Sequence, residues 1–161
     1  MTENELQNFI DNYTSFDFFR IKLKWNGKYG QDFVDDNYDF RMQVCEFIVT
    51  QIDKVNIKLI RDLYCETGKT SPLTFGIYNK FHLFADELLK RGGKEYLFDY
   101  IRGSMHSMDT AMSSGVLTIS KEKAQELLEY FDELKFTTQN AEEKQLLNNY
   151  IRHRLEFHAN K

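Results

Sequence analysis

The chain has few of the residues that interrupt helices. Its 161 residues include one proline and eight glycines. Proline and glycine are the residues that most often end a helix, so their scarcity favours long helical segments. The length is that of one domain, and it is sufficient to bury a core without disulfide bonds. We therefore expect a single helical domain over residues 1–161.

Cysteine and long apolar runs are also scarce. The two cysteines, Cys45 and Cys65, lie far apart in segments with apolar helical spacing, which predicts buried thiols in a reducing compartment. The opening MTENELQNFIDNY lacks the basic and then apolar pattern of a signal peptide, and no apolar run approaches the length of a membrane span. These features predict a cytoplasmic protein without membrane contact. Preference for Asn, Lys, Ile, Phe and Tyr over Ala, Pro and Arg is typical of an AT-rich bacterial genome.

The chain has no excess of positive charge. It carries 21 Lys and Arg against 25 Asp and Glu, which gives a formal net charge of -4 at pH 7. An acidic protein is not broadly attracted to phosphate backbones or anionic lipid. The composition therefore argues against nucleic acid as a partner.

Aromatic residues, in contrast, are abundant, and most segments show helical periodicity. Phe, Tyr and Trp make up 15% of the chain and can supply much of a core. The alternation in FFRIKLKWNG predicts a short β-strand or hairpin near residues 18–34, with a continued first helix as the alternative. From residue 36 onward the apolar spacing is helical. We expect a mainly all-α, compact bundle of roughly six to seven helices.

The segment CETGKTSP contains GKT, which is the end of a phosphate-binding loop. Gly68, Lys69 and Thr70 fit that motif, but Leu63 stands where its first glycine belongs, and the preceding residues have helical spacing. We interpret Gly68 as the cap that ends a helix and Pro72 as the residue that prevents its continuation. Nucleotide binding is not expected.

The segment DDNYDFRMQVCE partly fits a calcium-binding loop. Asp35, Asn37, Asp39 and Glu46 take ligand positions, yet Phe40 stands where the loop needs a glycine for its sharp turn. We interpret Asp35, Asp36 and Asn37 instead as the acidic start of a helix, where they cap it and complement the positive end of its dipole. Neither calcium nor any other metal or cofactor is expected.

Three methionines follow with a spacing that also fits a soft-metal site. Met105, Met108 and Met112, with His106 nearby, resemble such a site, but the three methionines have the spacing of one helical stripe and His106 would project to a different side. Such stripes are usually part of a core or a flexible contact surface. We predict that the stripe packs in the core and binds no metal.

The segment RHRLEFH carries the one family resemblance. Arg152, a polar residue and His158 are similar to the R-[polar]-x-x-x-x-H signature of HEPN-type ribonucleases, over this short segment alone. The resemblance implies an all-helical, intracellular enzyme in which the arginine and histidine face a dimer-related twin and act on a ribose hydroxyl and a phosphate. The alternative is that both are cations near a helix C-terminus, where the helix dipole favours them.

No other nucleophile, carboxylate pair or zinc-ligand spacing indicates catalysis. We therefore expect a non-catalytic protein-binding protein, of the inhibitor or immunity type, that neutralises a bacterial toxin or nuclease through an acidic surface with exposed aromatic anchors. A HEPN-like ribonuclease using Arg152 and His158 is the second hypothesis, and a regulatory adaptor or scaffold is the third. The densest acidic segment, DFVDDNYD, predicts these partner-binding residues: Asp32, Asp35, Asp36 and Asp39.

Overall fold

The computed structural model describes residues 2–150 and 153–160. Within these residues the helical spacing of the apolar side chains gives nine α-helices and no β-strand, which confirms a mainly helical bundle with somewhat more helices than expected. The α-helices are α1 (Glu3–Asp11), α2 (Tyr38–Ile48), α3 (Ile57–Thr74), α4 (Phe81–Glu87), α5 (Leu97–Ser104), α6 (Met108–Ser114), α7 (Lys121–Thr137), α8 (Ala141–Asn149) and α9 (His153–Ala159). Short 3₁₀-helices span Ser15–Arg20, Gly30–Asp32, Val49–Lys54 and Gly93–Tyr96, and a π-helical turn spans Leu88–Gly92.

The core is built around α3. This helix contacts α4 and α5 along its length, and Leu59, Ile60 and Leu63 on it are completely buried. Tyr64, also on α3, stacks on Phe81 of α4 with 4.6 Å between ring centroids. In the part of the chain described here, no helix combines the length and the apolar character required to cross a membrane.

Residues 18–34 do not form the strand or hairpin that their alternation predicts. Ser15–Arg20 is a 3₁₀-helix, and one isolated antiparallel bridge joins Trp25 to Asp35. The apolar residues of this segment do not share one face, because Ile21 is buried whereas Phe19 is exposed. Period-two alternation stabilises a strand only when one side packs on a core, and here it does not.

The predicted helix stop at Gly68 is also wrong. Gly68 and Pro72 both lie within α3, which ends where Phe75 takes a left-handed backbone conformation with φ of 57°. A methyl group on Gly68 would lie 3.2 Å from the ring of His106 and 3.3 Å from the carbonyl oxygen of Gly103. The glycine therefore allows α3 to approach the end of α5 closely, and tertiary packing outweighs its low helix propensity.

The methionine stripe packs in the core only in part, because Met105 is partly buried against the core while Met108 and Met112 are exposed. Met108 and Met112 on α6 are 78% and 62% exposed, while Thr110 and Ser114 on the same helix are completely buried. The Thr110 hydroxyl donates to the carbonyl of Ser104 over 3.1 Å. Hydroxyl groups thus hold the inner side of α6, and the methionines are left on the outer side.

Candidate functional site

Exposed aromatic side chains are concentrated between α1 and α2. Five of the eight exposed aromatic residues in the described chain lie in residues 15–38, a segment that we call the aromatic loop. Phe16, Phe19 and Tyr29 are 88%, 69% and 60% exposed, and Trp25 and Tyr38 are exposed to a smaller degree. Large aromatic groups normally contribute to the core, so this concentration marks a candidate contact surface.

A buried ion pair fixes the loop to α2. The guanidinium of Arg41 lies 2.6 Å from Oδ2 of Asp35, and both side chains are completely excluded from solvent. Arg41 also donates to the carbonyl of Ile21 over 3.0 Å. The other carboxylate oxygen of Asp35 accepts from the backbone N–H groups of Lys24, at 2.8 Å, and Asn37, at 3.1 Å. One ion pair therefore holds three separated parts of the loop.

The amide of Asn26 closes the middle of the loop on itself. Its side-chain oxygen accepts from the backbone N–H groups of Lys28 and Val34, at 3.1 and 3.2 Å. Its side-chain nitrogen donates to the carbonyl of Asp32 over 2.9 Å. These bonds satisfy backbone groups that a sheet would otherwise pair, so the loop is ordered without strands.

Two further side chains anchor the start of the loop. The side-chain nitrogen of Asn37 donates to the carbonyls of Phe19 and Lys22, both over 2.8 Å. Glu66, buried on α3, accepts from the N–H of Leu23 over 2.8 Å. Because α2 and α3 both hold the backbone, the exposed rings project from a fixed scaffold.

The tip of the loop is fixed by its own aromatic residues. The indole N–H of Trp25 donates to the carbonyl of Lys28 over 2.6 Å. The rings of Trp25 and Tyr29 meet edge to face with centroids 5.0 Å apart. Gly27 and Gly30 have φ of 84° and 62°, which side-chain-bearing residues rarely adopt, and they provide the turns at this tip.

The four acidic residues predicted to bind a partner divide into two groups. Asp35 is buried against Arg41, so its role in this structure is to support the loop. Asp32, Asp36 and Asp39 are exposed, and Asp36 pairs with Lys24 over 2.7 Å on the surface. The density of acidic residues in the sequence therefore correctly located three exposed acids, Asp32, Asp36 and Asp39. Their contact with a partner stays a prediction.

The calcium-loop residues serve other contacts. Both oxygens of Asp35 are used within the loop, and Glu46 pairs with Lys80 over 2.6 Å. Asp39 and Glu46 lie on α2, which begins at Tyr38 as predicted, although Asn37 at its N-cap position forms no side-chain capping hydrogen bond. Within the described residues, no group of three or more His, Cys, Asp or Glu side chains is arranged to hold a metal ion.

The segment with the ribonuclease resemblance is only partly described. Arg152 lies outside the described residues. His158 lies on α9, is 7% exposed, and has its ring 5.4 Å from that of Phe157. A substrate phosphate cannot reach a histidine buried to this degree unless the surrounding structure opens.

A group of ionisable side chains with shifted pKa values lies where the segment after α1 meets α3 and α5. The hydroxyl of Tyr13 donates to Asp62 over 2.7 Å, and burial raises the pKa of both Asp62 and Asp99. Burial also raises the pKa of the Cys65 thiol, and that of the buried Cys45 thiol, to about 12. Such thiols stay protonated at neutral pH, so this junction offers no cysteine nucleophile.

Comparison of the chain with family models, with curated proteins and with solved structures finds no match. The aromatic loop is the feature that packing does not explain. Sequence reasoning anticipated exposed aromatic anchors without identifying them, and it missed Arg41, because nothing in an amphipathic helix pattern marks an arginine that will be buried.

Proposed function

We propose that the chain is a non-catalytic protein-binding protein of the inhibitor or immunity type. It acts by covering the basic active-site region of a bacterial toxin or nuclease with its aromatic loop. The observation that carries the proposal is the set of five exposed aromatic side chains on a backbone fixed by the buried Asp35–Arg41 pair. A fixed loop loses little conformational entropy on binding, which favours affinity.

The composition of the loop matches that of protein interfaces. Trp, Tyr and Phe are enriched in interface cores and among the residues that dominate binding energy. Burying one large apolar side chain contributes about 1.5–3 kcal/mol. Phe16 and Phe19 contribute little of this to the fold because they are exposed. A partner that covers Phe16 and Phe19 would gain this burial free energy on binding.

The charge of the loop supports a basic partner. Asp32, Asp36 and Asp39 are exposed in or directly beside the aromatic loop. Complementary charge accelerates association and disfavours partners of the same sign. The active-site clefts of nucleases are positively charged because they bind phosphate, so an acidic surface with aromatic anchors is suited to cover one.

The proposal places the protein in the cytoplasm and assigns it no reaction. Reduced thiols such as Cys45 and Cys65 suit that compartment. The ribonuclease hypothesis would require His158, now buried, to reach a substrate. We therefore keep that hypothesis as an outcome of the test.

The test is an affinity capture from the native host with the full chain as bait. The loop variant Phe19→Ser/Tyr29→Ser is compared with wild type and with Phe136→Ser, which removes an even more exposed ring from α7. We expect wild type and Phe136→Ser to capture the same basic toxin or nuclease and the loop variant to lose it. Equal capture by all three proteins contradicts the proposal, as does RNA cleavage by the purified chain that His158→Ala abolishes.

A further inference from the structure

A shallow groove lies between α1 and α2, beside the aromatic loop. Its volume is about 640 Å³. The side chains that line it are apolar at Leu6, Met42 and Phe47, acidic at Glu3, Asp39 and Glu46, and polar at Gln43. An apolar floor with acidic edges is suited to a segment that is itself both apolar and basic.

The charges of the groove are not balanced locally. No basic residue is among its lining side chains, and the only acid there with an ion-pair partner among the described residues is Glu46, which pairs with Lys80. Glu3 and Asp39 are exposed in the first turns of α1 and α2. The groove therefore presents, beside an apolar surface, two carboxylates that have no ion-pair partner among the described residues.

We propose that this groove binds an amphipathic helix of the partner protein through its lysine or arginine side chains. The inference rests on the proposed function, because it describes a second contact made by the same partner. Of the two carboxylates without an ion-pair partner among the described residues, Glu3 lies on the α1 side of the groove and Asp39 on the α2 side. A partner helix that lies in the groove can direct a basic side chain to each of them, and its apolar face covers Met42 and Phe47.

The position of Asp39 links the groove to the aromatic loop. Asp39 follows Tyr38, the last aromatic residue of the loop, and it also lines the groove. One partner can therefore contact both surfaces, with the aromatic rings as anchors and the groove carboxylates as the electrostatic contribution.

The test uses a synthetic lysine–leucine amphipathic peptide about four helical turns long as the probe. Its affinity is measured by fluorescence anisotropy, and its site is located by amide chemical shifts of the labelled protein. The groove variant Glu3→Gln/Asp39→Asn is compared with Glu129→Gln/Glu133→Gln, which removes the same charge from exposed positions on α7. Thermal unfolding of both variants verifies that the fold is retained.

We expect the groove variant to weaken peptide binding by about tenfold and the α7 variant by less than about twofold. The shift changes should cluster on α1 and α2 around the groove, and a glutamate–leucine peptide should not bind. Equal weakening by both variants, or shift changes centred elsewhere, overturns the inference. So does self-association of the free protein through the groove, seen as the same shift changes on raising its concentration without peptide.

The two proposals can fail separately. If the aromatic-loop variant loses the captured partner but the peptide does not bind at the groove, the groove inference alone is wrong. If the peptide binds at the groove but the aromatic-loop variant captures the partner as well as wild type does, the role of the aromatic loop is wrong.

Discussion

The aromatic loop and α6 both expose apolar side chains, but they are held to the bundle in different ways. In the loop, a completely buried ion pair between Asp35 and Arg41 organises the backbone. In α6, neutral hydroxyls do so: Thr110 bonds to the carbonyl of Ser104, and Ser114 lies 2.8 Å from the hydroxyl of Tyr64. The exposed groups differ as well, since the loop carries rigid rings and α6 carries flexible methionines.

This difference separates two kinds of exposed apolar surface. A buried ion pair contributes little net stability, because the free-energy cost of desolvating both charges offsets much of their attraction. A loop held in this way keeps its exposed rings in a fixed position, as the proposed binding role requires. The exposure of Met108 and Met112 follows from the burial of the hydroxyl side of α6, and we expect these methionines not to contribute to partner binding.

The largest expected loss of stability comes from breaking the buried ion pair between Asp35 and Arg41. Arg41→Met should lower the free energy of unfolding by about 3–5 kcal/mol, because Asp35 would be left buried and unpaired. Lys24→Met is the matched control, since it removes a cation from an exposed pair with Asp36 and should change stability by less than about 1 kcal/mol. Urea unfolding measures both. Similar values for the two variants would show that the buried pair does not organise the loop.

A smaller loss is expected from the hydroxyls that hold α6. Thr110→Val keeps the shape of the side chain but leaves the N–H of Ser107 and the carbonyl of Ser104 without their partner, which should destabilise the protein by about 1–3 kcal/mol. Thr137→Val on α7 removes an exposed hydroxyl that bonds to its own helix, so unfolding should barely change. If Thr110→Val lowers the free energy of unfolding in urea as much as Arg41→Met does, then the buried ion pair and the α6 hydroxyls do not differ in how strongly they hold their segments.

The stability of the protein should depend on pH through His106, which lies directly before α6. Burial, together with the positive charges of Lys69 and Arg102, lowers the pKa of His106, while the nearby Glu66 acts in the opposite direction. The unfolded chain therefore binds a proton near pH 6.5 while the folded protein does not. Stability should fall as the pH drops from about 6.5 to the lower folded pKa, and be independent of this group above and below that window.

His106→Gln should remove this dependence. Melting temperatures of wild type and His106→Gln, followed from neutral pH downward, should differ in slope within that window. Parallel curves would mean that His106 titrates alike in the folded and unfolded chain.

The smallest effect is expected at the methionines. Met108→Ala should change the free energy of unfolding by less than about 0.5 kcal/mol, because the side chain is 78% exposed. A loss of about 2–5 kcal/mol, which is typical of a buried methionine, would show that the stripe is covered after all. Urea unfolding of this one variant decides between them.

The helical architecture could be predicted from the sequence, and the exceptions have a common cause. Few prolines and glycines and a helical apolar spacing are local signals, and they correctly predicted the bundle. The predictions of a strand near residues 18–34, a helix stop at Gly68 and burial of Met108 and Met112 were wrong because tertiary packing decided each of them. Gly68 continues α3 where another element approaches it, and α6 buries its hydroxyls.

The candidate site was predictable only in part. The density of acids in DFVDDNYD located Asp32, Asp36 and Asp39 on the surface, since charged residues are exposed unless they find a buried partner. That Asp35 would find such a partner in Arg41 depended on how the loop folds onto α2. For the same reason, the sequence could not indicate which aromatic residues would remain outside the core.

The central claim is that the aromatic loop, and not α6, is the partner-binding surface. The most direct measurement is the affinity of the captured partner for two double variants, Phe19→Ser/Tyr29→Ser and Met108→Ser/Met112→Ser, by biolayer interferometry. Each variant removes two exposed apolar side chains. We predict that the loop variant weakens binding by about a hundredfold or more and that the α6 variant stays within about twofold of wild type. A loss of affinity in the α6 variant with none in the loop variant would contradict the account.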